Sequence, residues 1–405
     1  MLSQSIRENI LSDLTSNKNE LNELLRKLIQ IRSYSGHEED IVKFIQSKMV
    51  DYGFDDAFID SFGNVIGKIG NGPIKILYDA HVDTVEVTDF DEWKYPPFEG
   101  KIVNNMIYGR GAVDEKPAMA GYLMAAKLLK THSKNIEFPF TLYIVGSVLE
   151  EDVDGYPLFH IIKNERIKPD YVLLGEPTNL RVYCGQRGRM ELKITTSGKS
   201  AHGAHNEQGI NAIYKMIPII EEIEKLDRQL PIQEPLGKGS ITVSQVKSKG
   251  PSLCSVPDLC QIHVDRRLTI DETRETVMQE LNGILRKTGI DGTISVPKYN
   301  GESWKGTRFS LEAFFPTWLI EEQHPLTQAG LKSAELVLNQ PGEPGFWKFS
   351  TNGVATAGHC GIPTIGFAPG REELSHSCHE KLLLDDLFKA TLFYCYFSFE
   401  LCKIL

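Results

Sequence analysis

The sequence predicts an α/β protein in which one α/β domain is interrupted by a smaller inserted α+β domain. Its 405 residues are enough for two or three separate hydrophobic cores. Apolar segments of strand length alternate with amphipathic helices in the first part of the chain. The pattern changes near Arg187 to half-exposed strands, and the first pattern resumes near residue 300.

Helices and buried strands alternate through the first part. Apolar residues three and four positions apart predict helix over 6–31 and 41–54. A helix over 117–132 is predicted because this segment begins at a proline and is rich in Ala, Leu and Met. Apolar runs that end in polar residues predict buried strands over 74–83, 139–152 and 170–178. This alternation is typical of α/β sheets that bind ligands beyond the carboxyl ends of their strands.

The middle of the chain has a different order of elements. From 188 to 299 the pattern reads β-α-β-β-α-β, the order of a ferredoxin-like sandwich. We therefore expect three segments: the first part of the larger domain at 1–187, the insert at 188–299, and the second part of the larger domain at 300–405.

Charge and composition exclude several classes of function. The formal net charge of −10 repels nucleic acid and anionic membrane surfaces, so neither is an expected partner. The longest apolar stretches, such as 141–149, are far shorter than the about 20 residues of a membrane-spanning helix. The N-terminal region is polar and has no apolar signal core. Seven scattered cysteines without a CxxC pair favour a reduced, cytoplasmic protein.

Residues that commonly bind metals follow the predicted strands. His81 and Asp83 lie two positions apart, so Asp83 is placed to hold the far ring nitrogen of a metal-binding His81. Asp114 follows a glycine-rich turn and precedes a helix. Either fragment alone occurs more often in a core or on a surface than at a metal, so the hypothesis depends on their combination.

Further acids and a second histidine complete the pattern. Glu150 and Glu151 are adjacent and would repel each other unless a cation compensates them. Glu176 follows the next predicted strand, and His376 lies far downstream. Two histidines and three carboxylates, one of them bridging, suit two zinc-type ions, and a fourth carboxylate is left as a general base for a metal-held water.

These motifs resemble the M20 family of metallopeptidases and amidohydrolases. The resemblance is carried by HVDT at 81–84, GRGAVDEKPAMAG at 109–121, EEDVDG at 150–155, GEPT at 175–178 and the late His376. It implies a catalytic domain like that of metallo-aminopeptidases with an inserted lid and dimerisation domain. The family includes acetylornithine deacetylase, succinyl-diaminopimelate desuccinylase and glutamate carboxypeptidase.

The resemblance also implies roles for single residues. His81 and Glu176 would bind one of two divalent ions, with Asp114 bridging to a second ion bound by Glu151 and His376. Glu150 would be the general base. The ions implied are zinc, with cobalt or manganese as alternatives. In place of the Asp-x-Lys-Gly that usually follows in the family, this chain has Pro117 after the lysine, a residue tolerated at a helix start.

The insert resembles the family's lid. His202 would reach the active site of a second subunit and stabilise the oxyanion, which implies a homodimer; His205 beside it is the less favoured candidate. Other stretches, such as GQRGRMEL and KFSTNGVA, are most similar to a branch of selenium-metabolism-linked hydrolases.

Substrate-binding residues are the least marked part of the sequence. Thr351 and Asn352 lie in a loop that contacts the substrate carboxylate in the family, although a structural turn is the alternative. Arg266 and Arg267 alternate faces on one predicted strand, and we expect Arg266 to bind that carboxylate bidentately. The expected reaction is metal-dependent hydrolysis of an amide bond in an acylated amino acid or short peptide. An N-carbamoyl-amino-acid hydrolase and a catalytically silent binding protein of the same fold are the alternatives.

Overall fold

A computed structural model describes residues 2–134, 136–165 and 167–405 of the chain. The helices in this part are α1 (Gln4–Ser16), α2 (Lys18–Gln30), α3 (Glu39–Asp51), α4 (Lys116–Thr131), α5 (Tyr156–Lys163), α6 (Ala212–Gln229), α7 (Arg274–Thr288), α8 (Pro325–Leu338) and α9 (Leu384–Ile404). The strands are β1 (Asp56–Ile59), β2 (Val65–Ile69), β3 (Ile74–His81), β4 (Lys101–Val103), β5 (Met106–Tyr108), β6 (Phe140–Ser147), β7 (Tyr171–Leu174), β8 (Val182–Gln186), β9 (Gly188–Ser197), β10 (Ile232–Gln233), β11 (Gly237–Lys238), β12 (Ser240–Lys249), β13 (Leu259–Leu268), β14 (Gly292–Ser295), β15 (Lys298–Glu302), β16 (Arg308–Glu312), β17 (Phe314–Phe315), β18 (Trp318–Leu319), β19 (Pro344–Trp347), β20 (Thr364–Gly366) and β21 (Lys381–Leu383).

The larger sheet has a parallel centre. Its strands lie in the order β1-β2-β6-β3-β7-β20-β8-β18, and β19 also pairs with β8. Strands β6, β3, β7 and β20 are mutually parallel, so the carboxyl ends of the first three meet at one edge. Parallel strands need long crossovers, and α4 and α5 supply them along the chain.

Both faces of this sheet are buried, as expected for a parallel sheet covered by helices. On β3, Ile76 and Tyr78 pack into the core beneath helices α1 to α4 and α9, whereas Leu77 points to the opposite core. On β6, Ile144 and Val145 divide between the two cores in the same manner. Successive side chains of a strand point to opposite faces of the sheet. Because both faces are buried, most residues of these two strands are apolar.

The helices differ from the predictions in one respect. The segment 6–31, predicted as helix, is two helices that meet at Asn17, whose side chain donates to the Asp13 carbonyl oxygen at 2.7 Å and so favours a turn over a continuous helix. Predicted helices at 41–54 and 117–132 correspond to α3 and α4. In the described residues, no helix combines the length and apolarity that crossing a membrane requires.

The middle of the chain forms a second sheet with its own core. Strands β9, β12, β13 and β14 lie in the order β12-β13-β9-β14, all antiparallel, and α6 and α7 complete the predicted β-α-β-β-α-β order. Alternate residues of β9 and β13 are buried against the helices. One strand of this sheet was not predicted: β17, beyond residue 299, also pairs with β9.

A hairpin of β15 and β16 links the second sheet back to the larger one. Three side chains near its tip donate hydrogen bonds to backbone carbonyl oxygens that follow β1. Trp304 donates to Gly63 at 3.1 Å, Lys305 to Asp60 at 2.9 Å and Thr307 to Ser61 at 2.6 Å. The long segment at 297–325 is therefore anchored at its tip.

Close packing within the larger sheet predicts a sensitivity to one added methyl group. A Cβ at Gly366, on β20, would lie 2.0 Å from the ring of Trp347, which is fully buried. Gly366→Ala should therefore lower the free energy of unfolding by about 1–3 kcal/mol, measured by denaturant titration.

The matched control is the same substitution in α7. A Cβ at Gly283 meets only the end of the Arg286 side chain at 3.8 Å. Gly283→Ala should raise stability by about 0.5–1 kcal/mol because alanine loses less backbone entropy in a helix. Equal effects of the two substitutions would contradict this packing argument.

Candidate metal centre and active site

The parallel strands bring most of the predicted ligands to one edge of the larger sheet. β3 ends at His81, and β6, beside it, is followed by Glu150 and Glu151. β7 lies on the other side of β3 and is followed by Glu176. Because parallel strands share the direction of their carboxyl ends, these four side chains converge although up to 95 residues separate them.

Asp114 lies between the two histidines. Its Oδ1 is 2.9 Å from Nε2 of His81, and its Oδ2 is 3.2 Å from Nε2 of His376. His376 Nε2 is also 2.9 Å from Glu151 Oε2, and His81 Nε2 is 3.8 Å from Glu176 Oε1. One carboxylate thus has a histidine and a further carboxylate on each side, the arrangement expected of a bridging ligand.

Asp83 positions its neighbours through both its backbone and its side chain. Its carbonyl oxygen is 3.0 Å from Nδ1 of His81, closer than its carboxylate at 3.6 Å. The carboxylate accepts hydrogen bonds from the backbone N–H groups of Glu150 at 3.1 Å and Glu151 at 3.2 Å, and from the Ser35 hydroxyl at 2.7 Å. Asp83 therefore orients the ring of His81 chiefly with its carbonyl and holds the loop of the acidic pair with its carboxylate.

Several buried carboxylates lie close together at this edge, and burial and their mutual repulsion shift their pKa values. Burial raises the pKa of Glu150 well above its usual range, and the charge of Glu176 raises it further. Burial and the charges of Glu115 and Asp114 raise the pKa of Glu176 in the same way. Burial also opposes ionisation of Asp114, but hydrogen bonds from His376 and His81 hold its pKa below the ordinary value.

This set of side chains fits divalent metal ions. Ligand atoms of His81, Asp114 and Glu151 lie within 4.8 Å of one another, as do those of His81, Glu115 and Glu176. Imidazole nitrogen and carboxylate oxygen are ligands of zinc and of similar first-row ions. Bound cations would offset the mutual repulsion that raises the pKa values of these buried acids.

Several buried acids that surround the ligands were not predicted from the sequence. Glu38 is fully buried and accepts from the Leu149 N–H at 3.0 Å; burial and the charge of Asp83 raise its pKa to about 8. Burial raises the pKa of Asp79 on β3 to about 6. Asp79 could have been predicted to lie near the site, because it is an acid inside the apolar run 74–83. Nothing in the sequence distinguishes Glu38 from a surface acid.

Positive charge is also buried nearby. Burial lowers the pKa of the Lys116 ammonium to about 7, and this group donates to the carbonyl oxygens of Leu28 and Ile31, each at 2.9 Å. Arg110 pairs with Glu380, and both side chains are almost fully buried. These groups brace the start of α4 and the segment after His376.

A cavity of about 350 Å³ opens over the acidic edge. Its lining includes the ligand-type residues Asp114, Glu151, Glu176 and His376, the acid Glu150, and two cations, Arg189 and Arg267. The two arginines face each other directly across β9 and β13, so the second sheet contributes the positive side of the cavity.

Arg266 does not line the cavity, contrary to the prediction from the sequence. Its side chain is fully buried, pairs with Glu272, and lies 3.5 Å from Glu280 of α7. Successive residues of a strand point to opposite faces, so Arg266 faces the helices and Arg267 faces the cavity. Burial leaves Arg266 out of the cavity, contrary to the expectation that it contacts the substrate, and Arg267 is the arginine of this pair that lines the cavity.

Thr351 and Asn352 are buried behind the cavity. Thr351 donates through its hydroxyl to Gln186 at 2.6 Å. Asn352 donates to Asp79 at 2.8 Å and to Ser147 at 3.0 Å, and its oxygen accepts from the Gly155 N–H at 2.8 Å. These bonds leave the two side chains no open face toward a substrate, so their expected role as direct contacts is corrected to one of holding the loop.

His202 lies in the insert, just before a short 3-10 helix at Gly203–Gln208, and is not among the residues that line the cavity. It is exposed, and its Nδ1 accepts from the Ala204 N–H at 3.1 Å. The ring of His205 is 6.3 Å away, measured between ring centroids. Neither histidine is among the residues that line the cavity.

Comparisons with known proteins identify the family and the fold of this chain. The sequence pattern of peptidase family M20/M25/M40 matches residues 77–399. Uncharacterized protein YgeY of Escherichia coli (strain K12) is 40% identical over 362 residues, which cover 89% of each chain. The N-formyl-4-amino-5-aminomethyl-2-methylpyrimidine deformylase of Halalkalibacterium halodurans is 25% identical over 431 residues, with 100% of this chain and 99% of that protein covered. The fold matches the crystal structure of the M20 family metallo-carboxypeptidase Sso-CP2 from Sulfolobus solfataricus, with a TM-score of 0.73, 20% identity, and coverage of 95% of this chain and 100% of that one.

The raised pKa values predict how the metal-free protein responds to pH. Glu150, Glu176, Glu38 and Glu380 all have folded pKa values above 4.5. The folded chain therefore binds more protons than the unfolded chain above that pH, and stability must fall as pH rises. Between about pH 5 and 7, the free energy of unfolding in urea with chelator should fall by on the order of 1 kcal/mol per pH unit for each excess proton.

A variant isolates the contribution of the site. Glu176→Gln removes one of the raised acids, so the slope of stability against pH should become shallower. A slope that is flat in the parent chain, or unchanged in this variant, would contradict the assigned crowding.

Proposed function

We propose that this chain, which belongs to peptidase family M20/M25/M40 and is a hydrolase of amide bonds, cleaves acylated amino acids or short peptides at the edge where Asp114 lies between His81 and His376. The position of Asp114, with Glu151 on one side and Glu176 on the other, is the observation that carries the proposal. Two histidines that share one carboxylate, each with a further carboxylate beside it, match the donor set of a pair of zinc-type ions.

We assign the ligands to two divalent ions. His81, Asp114 and Glu176 would hold one, and Asp114, Glu151 and His376 would hold the other. Zinc suits this nitrogen and oxygen set, and cobalt or manganese are the alternatives. When bound, the two ions polarise the amide carbonyl and lower the pKa of a water.

Glu150 acts as the general base. It lines the cavity, lies beside the ligands, and has a pKa raised by burial and by Glu176. Its carboxylate takes a proton from the attacking water and returns it to the leaving amine. Asp83 is a positioning residue, because it holds the backbone of Glu150 and the ring of His81.

The cations of the cavity indicate an anionic substrate group. Arg267 faces the cavity across from Arg189, and a guanidinium binds a carboxylate bidentately. An amino-acid carboxylate anchored there would leave the amide over the acidic edge. The relative named as a deformylase is consistent with cleavage of a small acyl group.

We assign the insert, 188–299, as a lid and dimerisation domain between the two parts of the catalytic domain, 1–187 and 300–405. Exposed apolar side chains of α6, including Tyr214 and Ile217, support a contact with a second copy of the chain. In such a homodimer, the partner subunit's lid brings its histidine at position 202 to stabilise the oxyanion. The reduced thiols at the seven free cysteines agree with a cytoplasmic location.

The first test is the release of free amine from N-acetyl, N-formyl, N-succinyl and N-carbamoyl amino acids and dipeptides, with added zinc or cobalt. Glu150→Gln should lower kcat by on the order of 10²–10⁴-fold, because general-base assistance is lost, while bound metal per chain stays unchanged by elemental analysis.

The matched control is Glu302→Gln, the same change at an exposed position on β15, which should leave kcat unchanged. Turnover by Glu150→Gln at the parental rate would refute the assigned base. Ammonia and carbon dioxide among the products would identify the N-carbamoyl activity, and metal binding without cleavage of any amide would favour a binding protein.

A second test addresses the partner's histidine. His202→Asn and Glu150→Gln should each be inactive alone. Random exchange of subunits should restore about a quarter of parental activity, because half of the dimers are mixed and each mixed dimer has one intact site.

The mixture is compared with the two variants assayed separately at the same concentration. No recovery after verified subunit exchange would show that His202 acts within its own subunit, and parental activity of His202→Asn by itself would show that His202 takes no part in the reaction.

A further inference from the structure

An apolar pocket of about 200 Å³ lies beside the acidic cavity. Its walls are mostly aromatic and aliphatic and include Tyr156, Phe159, Leu311, Phe314 and Val354. Ligand sites typically combine a few polar groups with apolar walls. The acidic cavity has the polar groups, and the apolar pocket beside it has the apolar walls.

The pocket and the cavity share a wall. Asp154 lines both of them. Arg189 lines the cavity, lies 3.5 Å from Asp154, and stacks over the ring of Phe315, with 4.4 Å between the guanidinium carbon and the ring centroid. Phe315 lines the apolar pocket. The cavity and the apolar pocket therefore lie on the two sides of one wall, formed by Asp154, Arg189 and Phe315.

The walls of the pocket are attached to other parts of the chain by hydrogen bonds and strand pairing. One side is the β15–β16 hairpin, which is anchored at its tip by Trp304, Lys305 and Thr307. The next side is β17, which pairs with β9. His359 also lines the pocket, and its ring meets the rings of Phe159 and Phe314 edge-on, with 6.3 and 6.4 Å between the ring centroids.

We propose that this pocket is a specificity subsite that takes an apolar group, aromatic or branched aliphatic, of the substrate. The inference rests on the proposed amide hydrolysis and names the class of substrate. The apolar group belongs either to the amino acid or to the acyl part, because both flank the scissile bond. Burial of an aromatic group there favours such substrates on the order of tenfold to hundredfold in kcat/KM.

Two substrate pairs distinguish the sources. N-acetylphenylalanine against N-acetylglycine tests the amino-acid side, and N-phenylacetylglycine against N-acetylglycine tests the acyl side. We expect the aromatic member of one pair to have the higher kcat/KM by at least about tenfold. Equal values in both pairs would overturn the proposal.

Variants connect the preference to the pocket. Ser310→Trp, at an exposed position that lines it, should fill the pocket and reduce the ratio of the preferred pair severalfold or more. Phe314→Ala removes one wall and should also reduce it. Ser295→Trp, at an exposed position on β14 outside the pocket, should leave the ratio unchanged. An unchanged ratio in both pocket variants would also overturn the proposal.

A binding measurement separates this proposal from the proposed function. Hydrocinnamate and propionate differ by a phenyl group, and calorimetry on the metal-loaded protein compares them without turnover. At least tenfold tighter binding of hydrocinnamate, lost in Ser310→Trp, would support the subsite even if no amide were cleaved. Equal binding of the two acids together with amide cleavage would overturn the subsite and keep the hydrolase.

Discussion

The convergence of carboxylates on one buried edge of the larger sheet is the constraint on which the rest of the structure depends. Asp114, Glu150, Glu151 and Glu176 lie at the carboxyl ends of parallel strands or at the start of the helix beside them. Like charges in a buried site raise one another's pKa values and oppose folding. The chain accepts this cost at one place, where cations are expected to bind.

The scaffold around that edge is correspondingly rigid. Asp83 holds the histidine and the acidic loop at once, so the ligand geometry does not depend on flexible side chains alone. Arg110 and Glu380 brace the opposite side with a buried ion pair. Such a pair is weak evidence of stability, because desolvation offsets much of the attraction, but it fixes the relative position of two segments that carry ligands.

The two sheets supply different chemistry to one cavity. The larger sheet contributes acids and histidines, and the second sheet contributes Arg189 and Arg267 on its open face. The hairpin and β17 between them add apolar surface beside the shared wall of Asp154. Under the proposed function, the charge of the substrate, its scissile bond and its apolar group would contact separate parts of the chain, and relative movement of the sheets would change all three contacts together.

The sequence by itself determined the fold class, the order of elements and the set of ligand-type residues. These are local properties, since the apolar period of strands and helices and the motifs at strand ends are continuous in the chain. Predictions from the sequence were wrong or incomplete where strand pairing and burial determine the structure. Asn17 divides one predicted helix into two, and a strand near residue 314 joins the second sheet.

Only the tertiary structure decided which side chains face the site. Arg266 and Arg267 are neighbours in sequence, yet the packing of β13 on α7 buries the first and leaves the second in the cavity. The same holds for Thr351 and Asn352, whose polar atoms are taken up by buried partners, and for Glu38, which no motif marks. The physical reason is that a side chain's direction and hydrogen-bond partners come from residues distant in the chain, and a single sequence does not record those contacts.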